Sequence, residues 1–357
     1  PNARYFEMGP FASEKDESFF LQEMAWAGLS WDRRLGSGFT SETAGLFSTV
    51  GNRGPAVDED PPLEERFAGS LPAGYGERSD GLTFSLHEGL SPKSLTDGIT
   101  IEQSDEESGA ADRGMDHEDY TREVVTNRYR IVADEGFTGK AFRLAYGGKI
   151  HHPVKQIEQE YARGFSQSPG LIDPQGVYLA GATTWIPTFD DEYITYDLAV
   201  RSPAGWRTVS QGQRTKAADE DGMRIDGWKV ETPTEEVFVI AARFTEYEYA
   251  VGNVMAMAFL REKDEGLANK YLETTAQYME MYRELLGPYP YSKFALVENF
   301  WETGYGMPSF TLLGSQVIRF PFILHSSYPH ELLHNWWGNG VFVDFETGNW
   351  CEGLTTY

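Results

Sequence analysis

Residues 330–334 read His330-Glu331-Leu332-Leu333-His334. On a helix, positions i and i+4 stack one turn apart, so two imidazoles at this spacing project from one face and can hold one ion. Glu331 is set one residue round. From there a carboxylate reaches a metal-bound water without taking a coordination position, which is what a general base requires. The chemistry this spacing points to is hydrolysis at Zn²⁺. A catalytic zinc site takes three protein ligands and leaves the fourth position to water. Glu352, in the helix-like run Trp350–Tyr357 with 17 residues between it and His334, is the expected third ligand. Glu346 competes from a turn-like setting beside Thr347-Gly348. The bland alternative is a pair of helix histidines satisfied by hydrogen bonds.

Such a constellation needs rigid elements to hold it. Leu267, Tyr271, Thr275, Tyr278, Tyr282 and Leu285 recur with the helical period, and Gly287-Pro288 supplies the stop. Lys293–Phe300 and Phe310–Ile318 read as strands, with Gly304-Tyr305-Gly306 as the connection between them. Upstream, Val124–Val132, Ala141–Tyr146, Gly176–Ala180, Ile194–Val200 and Val237–Phe244 are rich in β-branched and aromatic residues, and Gly or Pro bounds them. They predict an antiparallel β-sandwich with turns at Pro203-Ala204-Gly205 and Asp226-Gly227. Before them the chain is dense in Gly, Pro, Ser and acidic runs such as Asp58–Asp60, which read as solvated loops. The exception is Glu17–Trp31, where Phe19, Phe20, Met24, Ala27 and Trp31 predict a short amphipathic helix. The expected organisation is an acidic, loop-rich region over 1–119, a β-sandwich over 120–261 and a metal-binding domain opening at 262 and running to 357.

Composition narrows the partners. With 30 basic against 55 acidic side chains the net charge is −25, which repels nucleic-acid phosphates and anionic lipid, so no nucleic-acid partner is expected. Counting along the sequence, residues 1–119 hold 24 acidic and 9 basic side chains, a net of −15, so the acidity is concentrated away from the histidine motif. No apolar run reaches the length of a transmembrane segment. The chain opens at Pro1 rather than Met, which fits a removed leader, so an extracytoplasmic location is the expectation. Its one cysteine, Cys351, could be read as a nucleophile beside a histidine, but a lone cysteine is more often a small buried apolar residue. Adjacent His151 and His152 on a strand would point to opposite faces and read as surface residues.

The run from His330 to Asn339 (HELLHNWWGN), followed by Trp350-Cys351-Glu352-Gly353, resembles the aminopeptidase N family of zinc metallopeptidases, and the likeness extends upstream through Gly287-Pro288-Tyr289-Pro290-Tyr291 to Leu296-Val297-Glu298. It covers about residues 175–357. The resemblance implies a β-sandwich followed by the first half of an α+β thermolysin-like catalytic domain, zinc held by His330, His334 and Glu352, Glu331 as catalytic base, and a peptide or protein as substrate. Two features depart from the family pattern. The segment between His334 and Glu352 is one residue short. In the family's Gly-x-Met-Glu-Asn segment a glutamate holds the free amino terminus of the substrate; Tyr305-Gly306-Met307-Pro308-Ser309 matches that segment here, with Pro308 in place of the glutamate. Gly306 and Met307 are then the expected substrate-binding residues, and Glu298 or Glu302 the nearest carboxylates able to substitute. The family's oxyanion-stabilising tyrosine lies beyond the glutamate ligand, so the resemblance reads these residues as the front portion of such an enzyme. A second reading is a non-catalytic interaction protein that retains a peptidase-type zinc site.

Overall fold

The computed structural model describes residues 2–6, 17–35 and 39–53 by their backbone, and residues 82–109, 124–134, 137, 141–156, 165–188, 193–343 and 350–356. Most of them are in β-strands. Ile194–Pro203 shows why: Tyr196, Leu198 and Val200 are buried while Asp197 and Arg201 face water, the two-residue period of a half-buried strand. It lies inside a nine-stranded, largely antiparallel sheet, flanked by Met223–Thr234 and Phe39–Arg53. A three-stranded sheet holds Leu82–His87, Val125–Ala133 and Ile99–Gly109. A four-stranded sheet holds Gly170–Asp173, Gly176–Leu179, Val239–Ala242 and Arg207–Val209. Phe84, Ile131, Leu144, Val177, Leu198, Trp228 and Val239 from these sheets meet in one apolar core, joined by Trp185 from a connection.

Several sequence expectations are corrected here. Glu17–Leu35 is a strand paired along its length with Phe39–Arg53, not a helix. Its aromatic residues fit a pleated surface as well as an amphipathic helix, and short apolar runs do not separate the two periods. The acidic first third is not all loop: Leu82–His87, Leu90–Ser94 and Ile99–Gly109 pair with strands between 125 and 148. Asp58–Asp60 lies outside the described residues. The expected turn at Asp226-Gly227 sits mid-strand, in Met223–Thr234. The hairpin turn is the other Asp-Gly pair, Asp221-Gly222, where both residues take positive φ (49° and 75°), as a two-residue hairpin loop demands. Gly227 instead lies beside a register shift, where a Cβ would meet Thr215 Oγ1 at 2.7 Å.

The sheet that carries the motif has five strands, in the order Thr245–Val251, Val254–Leu260, Lys293–Asn299, Phe310–Gly314, Gly304–Met307. It therefore opens at Thr245, upstream of 262. Its three middle strands are parallel, and the long helix Glu265–Leu286 makes the crossover. Asp264 caps that helix by accepting the Leu267 amide at 2.9 Å, and Gly287 at φ 104° ends it. Of the residues the period picked out, Tyr271, Thr275 and Tyr282 are buried and Leu267 and Tyr278 half-buried, but Leu285 in the last turn is 71% exposed. Every residue of Lys293–Asn299 is buried. Phe294 and Leu296 face the helices, while Ala295 and Val297 face a core shared with Tyr178, Val209 and Ile240 of the four-stranded sheet. Both faces being covered explains a continuous apolar run instead of an alternating one. Phe310–Gly314 is shorter than expected and gives way to a 3₁₀ turn at Val317–Arg319. Gly304–Met307, expected as a connection, is an edge strand of this sheet. Among the described residues no helix is long and apolar enough to cross a membrane.

Candidate metal centre

The helix Ser327–Leu333 is anchored by Tyr328 and Leu332, both almost fully buried. Tyr328 packs edge-on to Tyr271 with ring centroids 4.7 Å apart, and its hydroxyl bonds Thr275 of the long helix. This burial fixes which face of the short helix turns toward the edge strand. His334 caps the helix and donates its amide to the His330 carbonyl at 3.1 Å, so the two rings keep the one-turn spacing read from the sequence. Their Nε2 atoms lie 3.0 Å apart.

The helix Trp350–Thr356 brings in Glu352. Its carboxylate oxygens lie 3.4 Å from His330 Nε2 and 3.4 Å from His334 Nε2. Cys351 is fully buried in this helix, a packing position rather than that of a nucleophile, and Trp350 meets Trp337, in the turn after the histidine helix, edge-on at 6.1 Å. Trp336 packs instead against Tyr282 and Tyr289. Glu346 lies outside the described residues.

The two Nε2 atoms lie 3.0 Å apart, each faces a different Glu352 oxygen at 3.4 Å, and with one ligand atom taken from each residue all three lie within 4.8 Å of one another, a spacing that suits zinc. Bonds of about 2.0–2.1 Å in a tetrahedron place neighbouring ligand atoms about 3.3 Å apart. The donor set, two imidazole nitrogens and one carboxylate, is that of a catalytic rather than a structural zinc site, with one tetrahedral position left open. His330, His334 and Glu352 are also the only such group of three among the described residues. The ring of His334 is oriented from behind: its Nδ1 lies 3.2 Å from the Trp337 carbonyl, so Nδ1–H donates there and Nε2 keeps its lone pair for a ligand. The Thr355 backbone hydrogen-bonds His330 in a similar supporting role.

Without an ion the triangle is electrostatically uneven. The hydrogen bond to Glu352 raises the pKa of His330 against the opposing effect of burial, whereas burial lowers that of His334. The same bond from His330 lowers the pKa of Glu352. The carboxylate is thus ionised, and one buried imidazole is held neutral, as metal ligation requires.

Glu331 points toward the edge strand. A Cβ built on Gly306 would lie 2.5 Å from Glu331 Oε2 and 3.5 Å from His334 Cδ2, so the backbone of Gly306 passes directly against the general-base candidate. Met307 is buried beside it. The two carboxylates expected to replace the missing glutamate are committed elsewhere. Glu298 is 2% exposed, accepts the Arg261 amide and pairs with Arg319 at 2.8 Å. Glu302 accepts the amides of Gln316 and Val317. Residue type and proximity in sequence suggested both; their backbone partners come from the parallel strand ends and leave no sequence signal. His151 is exposed as expected, but His152 turns to His87, with Nε2 atoms 2.8 Å apart.

No protein-family profile matches the chain, and no curated protein does. Among solved structures, one similar to it is a two-domain M1 zinc metallopeptidase, a glutamate-to-alanine mutant bound to L-arginine, at 14% identity and a TM-score of 0.50 over 93% of this chain and 67% of that one. Another is the corresponding mutant bound to L-tryptophan, at 15% identity and a TM-score of 0.50, covering 89% of this chain and 65% of that one. The likeness is one of fold. The chain spans about two thirds of the length of these structures.

Proposed function

We propose that this chain is a zinc-dependent peptidase that hydrolyses peptide bonds with a metal-activated water, aminopeptidase-like in architecture, its five-stranded sheet and helices forming the first half of a thermolysin-like catalytic domain. The observation that carries the reading is the convergence of His330, His334 and Glu352 on one point with Glu331 beside it. Zinc, when bound, supplies Lewis acidity and brings the pKa of its water near 7. His330, His334 and Glu352 hold the ion. Glu331 takes the proton of the attacking water and returns it to the leaving amine. Gly306 and Met307 lie on an edge strand, whose outer backbone groups can pair with an extended peptide and present its scissile bond to Glu331. The M1 zinc metallopeptidase fold supports the same reading.

Metal analysis of the purified protein is expected to give about one zinc per chain. Aminoacyl amides and internally quenched peptides are assayed side by side to separate exo- from endopeptidase action. Glu331→Gln is expected to keep the zinc and abolish hydrolysis of whichever class is cut. Turnover retained in that variant sinks the mechanism, and a zinc-loaded wild-type protein that cuts neither class favours a non-catalytic interaction protein.

A further inference from the structure

Lys293 is buried, and its ammonium lies 5.3 Å from the ring centroids of both Trp228 and Phe310. Among the described residues no carboxylate pairs with it. Its donors go instead to one residue: Nζ donates to Ser309 Oγ at 2.8 Å and to the Ser309 carbonyl at 3.1 Å. Burial, with the charge of Arg214 adding to it, pulls the lysine pKa well below its usual value. A polar group buried this deeply is tolerated where its hydrogen bonds are satisfied and hold something in place.

What it holds is a strained turn. Ser309 has φ 69°, in the left-handed region that non-glycine residues rarely occupy, and it follows Pro308 between the edge strand and Phe310–Gly314. Each of its polar atoms is engaged. Its amide donates to Asn335 Oδ1 at 2.7 Å; its carbonyl also accepts the Ala295 amide at 3.1 Å; its Oγ also accepts the Gly212 amide at 3.1 Å. Asn335, fully buried, completes the link by donating Nδ2 to the Leu332 carbonyl at 3.0 Å in the histidine helix, while Tyr289 donates to its Oδ1 at 3.2 Å.

Resting on the peptidase reading, we infer that Lys293, Ser309 and Asn335 are positioning residues that set the distance between the edge strand Gly304–Met307 and Glu331. The network joins the turn that ends the edge strand to the helix that carries the base. The clearance it controls is small, since Gly306 lies three residues before Ser309 and has no room for a Cβ beside Glu331.

Lys293→Met keeps the length and apolar contacts of the side chain and removes the donors. The zinc-loaded variant is expected to bind the metal as the wild type does and to lose at least tenfold in kcat, with KM changed less than threefold. Independently of activity, amide hydrogen exchange in residues 304–311 is expected to quicken at least tenfold while the helix Glu265–Leu286 keeps its protection. A folded Lys293→Met protein with wild-type exchange in that segment overturns the inference. So does one with faster exchange and kcat within twofold of the wild type, which would make the network merely structural. Should Lys293→Met fail to fold, Ser309→Ala, which removes only the Oγ bonds, decides by the same two measurements. Wild-type protein without any hydrolysis refutes the peptidase reading instead, and the exchange measurement then tests the network alone.

Discussion

Gly306→Val tests the placement of the base most directly. The first added carbon would lie 2.5 Å from Glu331 Oε2. Ordinary van der Waals contact begins near 3.4 Å, so the carboxylate must retreat by about 0.9 Å. The β-branched γ carbons then reach past the Cβ toward His334, whose Cδ2 and Cβ already sit 3.5 and 3.6 Å from it. Because the nearest obstacle is the far end of a side chain rather than backbone, folding should lose about the 1–3 kcal/mol typical of overpacking. Catalysis is less forgiving: a misplacement of about 1 Å lowers a rate by about 10²-fold, or about 2.7 kcal/mol in the barrier. The assay is kcat/KM on the best peptide substrate, with zinc content and Tm measured on the same preparation. Gly306→Ala, whose single carbon lets the carboxylate swing aside, should fall between wild type and Gly306→Val. A zinc-loaded, folded Gly306→Val protein within threefold of wild-type kcat/KM would refute the placement of Glu331 against this strand.

Two further outcomes concern stability. Leu332→Ala empties a fully buried position under the histidine pair and should destabilise the fold by about 2–5 kcal/mol, read as a lower denaturation midpoint; an unchanged midpoint would show that this helix is not anchored through Leu332. The fold should also be alkali-labile. Burial raises the pKa of Tyr196, Tyr271, Tyr282, Tyr289, Tyr291 and Tyr328 above the usual 10, that of Tyr282 to about 12. The unfolded chain ionises at about 10 while the native protein keeps these protons, so their contribution is complete below pH 10 and is lost as pH rises through the folded values. Urea midpoints that stay flat from pH 9 to 11 would contradict it.

The grouping of His330, His334 and Glu352 was legible because it depends on local spacing. His330 and His334 lie one helical turn apart whatever surrounds them, and the helix-like run from Trp350 announced the element that carries Glu352. What escaped was set by pairing across long distances. The two Asp-Gly dipeptides at 221 and 226 look alike in sequence, and only the register of the strands decides which one turns. The run from Glu17 satisfies a helical and a pleated pattern together, so its partner strand made the choice. Glu298 and Glu302 seemed free to meet a substrate because nothing in a sequence shows that parallel strand ends and a 3₁₀ turn claim their oxygens. Ser309 was equally silent, since its strained backbone has meaning only once Lys293 and Asn335 are beside it.

The apolar layer between the four-stranded and five-stranded sheets has a mechanical consequence. Ala295, Val297, Phe259 and Leu312 of the metal-carrying sheet interdigitate with Tyr178, Val209 and Ile240 of the other, and only Arg243 and Phe244 separate Ala242 from Thr245 along the chain. That two-residue link leaves the chain little slack at the junction. Displacing one sheet over the other would have to break this interlocked contact, so a movement of Val239–Ala242 is expected to carry Val254–Leu260 with it.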